Sequence, residues 1–233
     1  MGRIPKALKV LSWITGAVFV VALYVVLIWA PQEAIMGDVQ RVFYFHVSVG
    51  WVGALAFLVT LIVGVIYLVR GEQRWDQVAV SSVEIGIVFT FINIVTGSIW
   101  ARPIWNTWWT WDPRLVTATI MELIYIAYMM LRQGIDDPDR RARFSAIYGI
   151  VGFISVIMTF ASIRIFRTIH PIVVGSSDPT ALGAFDMNAE MRMAFFFSLF
   201  TFTLVYFTLL WYRLLIQQRK EKIEERKLQT LSS

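Results

Sequence analysis

Six long apolar runs set the plan of this chain. They cover residues 10–30, 47–69, 78–99, 115–131, 144–163 and 193–216. A helix crossing a bilayer needs about 20 largely apolar residues, and the shortest run, at 115–131, lies at the low end of that range. The first run is longer than the apolar core of a secretory signal and carries no small-residue cleavage site, so it is read as a span. Short polar links join the runs at 31–42 and 132–143, and a longer connection lies at 164–192. The pattern predicts an all-α, polytopic membrane protein. It has one six-transmembrane-helix bundle over residues 1–216 and a charged tail, 217–233, whose alternating signs suit a solvated helix.

Between the third and fourth runs, residues 100–114 read W-A-R-P-I-W-N-T-W-W-T-W-D-P-R. Five of the ten tryptophans stand here: Trp100, Trp105, Trp108, Trp109 and Trp111. Pro103 and Pro113 bracket them. Proline lacks a backbone donor and disfavours helix at the residue before it, so a loop or short surface helix is expected. Tryptophan gathers at ordinary membrane interfaces, at about one or two per helix end. Five within one stretch exceeds what anchoring needs.

Composition agrees with the pattern: 58% of residues are hydrophobic and 16% charged. Cysteine is absent, which excludes disulfides, thiolate metal sites, iron–sulfur clusters and thioether-bound haem. The formal charge of +5 raises nucleic acid as a partner, but its distribution speaks for topology. Fifteen of the 21 lysines and arginines fall on the termini and the second and fourth connections. By the positive-inside rule the termini are cytoplasmic and the tryptophan stretch faces outward.

That topology brings the only two histidines, His46 and His170, to the tryptophan side. Neutral imidazole ligates iron, and two can fill both axial positions of a haem. Indole only donates a hydrogen bond, so tryptophans can pack against a flat aromatic ligand but not bind its metal. Arginine pairs bidentately with carboxylates such as propionates. Arg102 and Arg114 flank the stretch, and Arg41, Arg164 and Arg167 lie near the histidines. Asp112 stands where it can cap the fourth helix. Glu84 and Glu122 are carboxylates at membrane depth, where an interhelical hydrogen bond or a neutral acid is expected. Asn93, Thr96 and Ser98 can join helices by hydrogen bonds.

W-N-T-W-W-T-W-D-P-R-L-V-T resembles the tryptophan-rich motif of haem-handling membrane proteins used in cytochrome c maturation. Within that superfamily the chain is most similar to cytochrome c maturation protein C, the haem exporter protein C family. R-V-F-Y-F-H-V is similar to the segment before that family's first histidine. Leu115, where longer relatives tend to carry a carboxylate, favours the same family. Asn106 stands where glycine is common, and Pro171 after His170 is a second departure. The resemblance implies that His46 and His170 are axial ligands of transiently held haem b. It implies that Trp105, Trp108, Trp109 and Trp111 contact the porphyrin at the outer face of the plasma membrane. It also implies partners: a periplasmic haem chaperone, protein E of the pathway, and an ABC transporter of A and B proteins with small protein D. The chain has no Walker A motif, so ATP hydrolysis falls to a partner and no catalysis is expected here. Two other classes stand beside this one. One is a cytochrome b electron-transfer subunit, which usually buries more histidines. The other is a haem-free permease or scaffold.

Overall fold

The computed structural model describes residues 4–33, 36–171 and 187–231, the side chains of 221, 222 and 224–231 aside. Among the described residues it contains six α-helices, α1 Lys6–Tyr24 (continued by a π-helical turn, Val25–Trp29), α2 Gln40–Arg70, α3 Gln73–Trp105, α4 Pro113–Gln133, α5 Pro138–Ile165 and α6 Ala189–Leu231. All six are long and apolar enough to cross a membrane, and no strand occurs among the described residues. The chain is therefore an all-α polytopic membrane protein.

Local chemistry sets the helix ends. α2 stops at Gly71, whose φ of +69° is the left-handed conformation that glycine enters at little cost. Asp112 and Asp137 cap α4 and α5, each followed by a proline at the first helical position. α2 is central and packs against α3, α5 and α6. Its contact with α3 is close because Gly53 lies against Thr90: a Cβ there would collide with the threonine methyl. α1 lies on α6, joined by hydroxyl pairs Ser12–Tyr212 (2.9 Å) and Thr15–Thr208 (2.8 Å). That register brings the start of α1 and the far part of α6 to one end of the bundle.

Three boundaries differ from the sequence expectation. α2 begins at Gln40, so His46 lies six residues inside it, about 9 Å along the axis. α3 runs through Pro103 to Trp105, leaving only 106–112 as loop. A proline in the last turn costs one intrahelical bond, and the helix end is then closed by other means. Asn106 takes φ +53°, and Arg102 donates to its carbonyl oxygen (2.6 Å) and to its Oδ1 (2.9 Å). α6 continues without a break from its apolar part into the charged tail. At the root of that tail Arg213 forms an ion pair with Glu84 of α3. Glu122 of α4 accepts a hydrogen bond from Thr90 of α3. Both membrane-depth acids thus join helices, as their positions suggested.

Candidate functional site

At the end of the bundle opposite the termini, a recess is lined by α3 (Asn93, Gly97, Trp100, Trp105), the loop (Trp109), the start of α4 (Arg114), His46 and His170. The two histidines, some 120 residues apart in sequence, border the same space. Each reaches it by a different route. His46 is carried by α2, whereas His170 stands in the irregular segment that follows α5.

Hydrogen bonds engage Nδ1 of each imidazole. His46 Nδ1 lies 3.1 Å from the Asn93 carbonyl oxygen and 3.2 Å from Thr96 Oγ1. Thr96 already donates to the Ile92 carbonyl (2.8 Å), so it and the Asn93 carbonyl act as acceptors toward Nδ1, while the Asn93 Nδ2 amide, 3.2 Å away, can donate to it. Asn93 Nδ2 holds the backbone of His46 by donating to its carbonyl at 2.7 Å. His170 Nδ1 lies 3.1 Å from the Pro171 carbonyl, which again can only accept. In both rings Nδ1 is engaged, and Nε2 makes no hydrogen bond among the described residues. A ring fixed through Nδ1–H to a carbonyl is the arrangement that orients metal-binding histidines. Burial, reinforced by the Arg114 guanidinium, pushes the His170 imidazole down to about 3. A lowered value leaves the ring neutral at every physiological pH, the state that binds iron.

The segment bearing His170 is anchored by Asp112. Its Oδ1 accepts from Arg114 N (2.9 Å) and from Thr168 Oγ1 (2.6 Å), and its Oδ2 accepts from Ile169 N (2.9 Å). Thr168 Oγ1 in turn accepts from His170 N at 3.0 Å. Arg114 donates to the Thr159 carbonyl and lies over the Phe160 ring at 4.9 Å, so α5 holds it at the rim.

The other sequence-predicted residues are placed as follows. Trp105 and Trp109 line the recess with Arg114, and Trp105 meets Trp100 edge to face at 5.3 Å. Trp108 and Trp111 lie outside it, 58% and 84% exposed on the loop surface. Arg102 is turned to Asn106, and Arg41 is bonded to the Val26 carbonyl (2.7 Å) and Asp38 (3.0 Å). Asn93, Gly97 and Trp100 carry weight in the site that sequence reasoning did not give them. Their i, i+4, i+7 spacing marks one helix face, the signal that could have found them. Trp100 is 7% exposed, and its Nε1 has no hydrogen-bond partner among the described residues. It is an indole donor at the wall of the recess.

The residues present fit a metalloporphyrin: two imidazoles, indole walls and one guanidinium. The free space is about 50 Å³. That is room for a water or two at about 30 Å³ each, well below the several hundred Å³ of a typical ligand pocket. The recess as it stands is much smaller than a macrocycle.

The fold defines the class: an all-α polytopic membrane protein, in which two imidazoles and three indoles line one recess. Comparison with known proteins is specific. The family model for heme exporter protein C matches residues 3–231. Heme exporter protein C of Bradyrhizobium diazoefficiens is 33% identical over 165 residues, spanning 70% of this chain and 62% of that protein. Its namesakes in Rhodobacter capsulatus and Escherichia coli K12 are 32% and 30% identical. Those matches span 70% and 71% of this chain, and 69% and 71% of the relatives. The chain belongs to the heme exporter protein C family.

Proposed function

We propose that this chain takes up haem b at the outer face of the plasma membrane and passes it to a periplasmic haem chaperone during cytochrome c maturation. The observation that carries this reading is the meeting of His46 and His170 at one recess beneath the tryptophan loop, both with Nδ1 engaged and Nε2 without a hydrogen bond among the described residues. His46 and His170 hold the iron through its two axial positions. Trp105 and Trp109 pack on the ring, and exposed Trp108 and Trp111 extend the aromatic surface toward the chaperone. Arg114 is the cation nearest a propionate, and Arg102 acts by closing the end of α3. Haem is cargo here, held by nitrogen ligands that exchange and by no covalent bond. The charge asymmetry supports cytoplasmic termini and an extracytoplasmic site. The names of the relatives support a complex with further exporter components. The resemblance gives their identity as an ABC transporter of A and B proteins, small protein D and chaperone protein E.

Protein purified in detergent is expected to carry sub-stoichiometric haem with a low-spin, two-imidazole absorbance spectrum. His46→Ala and His170→Ala should each abolish that spectrum and stop cytochrome c assembly in cells. Unchanged haem content and assembly in both variants would dismiss the reading.

A further inference from the structure

We propose that Asp112 is a positioning residue for His170, its carboxylate holding the imidazole-bearing segment against the start of α4. This rests on the reading that His170 is an iron ligand. Sequence alone assigns Asp112 only a helix cap. The geometry asks more of it. One oxygen caps α4 and receives the Thr168 hydroxyl, and the other receives the Ile169 amide. The Thr168 hydroxyl, having donated to Asp112, accepts from the His170 amide. Three consecutive residues are thereby fixed to a helix cap 56 positions before Thr168. α5 ends at Ile165, so no helical hydrogen bonds hold these residues. The same carboxylate lies between Trp111 and Pro113. Displacement of the tryptophan loop therefore reaches His170 through a single side chain, and loop and ligand move together.

Two variants separate capping from positioning. Asn and Ser both cap helices well. Asp112→Asn, however, cannot accept at both atoms, and Asp112→Ser offers one oxygen in place of two. The chain has only two histidines, so in a His46→Ala background the N-carbethoxyhistidine absorbance formed with diethyl pyrocarbonate reports on His170 alone. Both variants should speed its modification about tenfold, as expected when a hydrogen bond to a charged group is lost. Thr168→Val, which removes only the bridging hydroxyl, should act in the same direction and guards against a fold defect at position 112. An unchanged rate in Asp112→Asn and Thr168→Val overturns the proposal. A second readout uses added haemin and an otherwise unaltered chain. Asp112→Asn should lose the low-spin spectrum and regain it with free imidazole, as His170→Ala does. If His170→Ala loses that spectrum and Asp112→Asn alters neither readout, positioning falls alone. If Asp112→Asn speeds modification while His170→Ala keeps the spectrum, positioning holds and the ligand reading falls.

Discussion

At the scale of single residues, the site depends on how closely α3 approaches the His46 ring. Gly97 makes this possible: a Cβ there would lie 2.8 Å from His46 Cε1 and 3.4 Å from Nδ1. The ring cannot retreat and keep its bonds to Asn93 and Thr96, because those partners sit on the same helix as the intruding methyl. Gly97→Ala is thus expected to detach Nδ1 and to cut haem content as far as His46→Ala does. Its cost to stability should stay within the 1–3 kcal/mol typical of overpacking. Gly16 supplies the control, since a methyl added there would meet nothing within 4 Å: Gly16→Ala should leave haem content unchanged. A pyridine haemochromogen assay measures both. These relations explain what could be read in advance. The histidines, tryptophans and Arg114 announce themselves by side-chain chemistry. Gly97 has none, and its role exists only once two helices are placed side by side. Asp112 showed its capping half because capping is local, and hid its other half because Thr168 lies 56 positions away.

At the scale of elements, the far ends of α3 and α4 are joined by an ion pair remote from the site. Arg132 meets Asp76 with two hydrogen bonds, 2.6 and 2.8 Å, and both side chains are only 11% exposed. Arg132 also lies over the Tyr128 ring at 5.8 Å. Removing one partner leaves a charge stranded in a dry setting, which costs about 3–5 kcal/mol. The Arg74–Glu72 pair offers a contrast, with side chains 63% and 40% exposed. An exposed pair of that kind contributes about 1 kcal/mol or less. Thermal unfolding in detergent should therefore fall sharply for Asp76→Asn and hardly for Glu72→Gln. The haem spectrum of Asp76→Asn, read below its unfolding temperature, should match that of the parent chain. The six spans were legible from their apolar length alone, since hydrocarbon thickness fixes it. Their ends were less so. Pro103 suggested an early stop for α3, yet the helix runs on to Trp105 because Arg102 and Asn106 close it. Pattern reading weighs the breaker and cannot see the closure.

At the scale of the whole molecule, the recess is smaller than the haem proposed as its cargo, and binding there would require motion. About 50 Å³ lies between the histidines and the indoles. The walls are unequal in their freedom to yield. Asn93, Gly97 and Trp100 belong to α3, which packs against α2, α4 and α6. The loop 106–112 is held mainly by its ends, Asn106 and Asp112, and presents Trp108 and Trp111 to the outside. Packed helices are costly to shift and a short loop is not, so the loop should be the wall that opens. The absence of cysteine makes this measurable. A spin label at Trp111→Cys can be paired with one at Ile62→Cys, a half-exposed position on central α2. A second pair, Ile62→Cys with Ile120→Cys on α4, reports on the frame. Added haemin should move the 62–111 distance by a few ångströms, the scale of loop rearrangements on binding, and leave the 62–120 distance in place. A shift in both would mean that the bundle itself opens. A shift in neither, with haem bound, would put the porphyrin on the outer face of the loop and reduce the two imidazoles to structural residues.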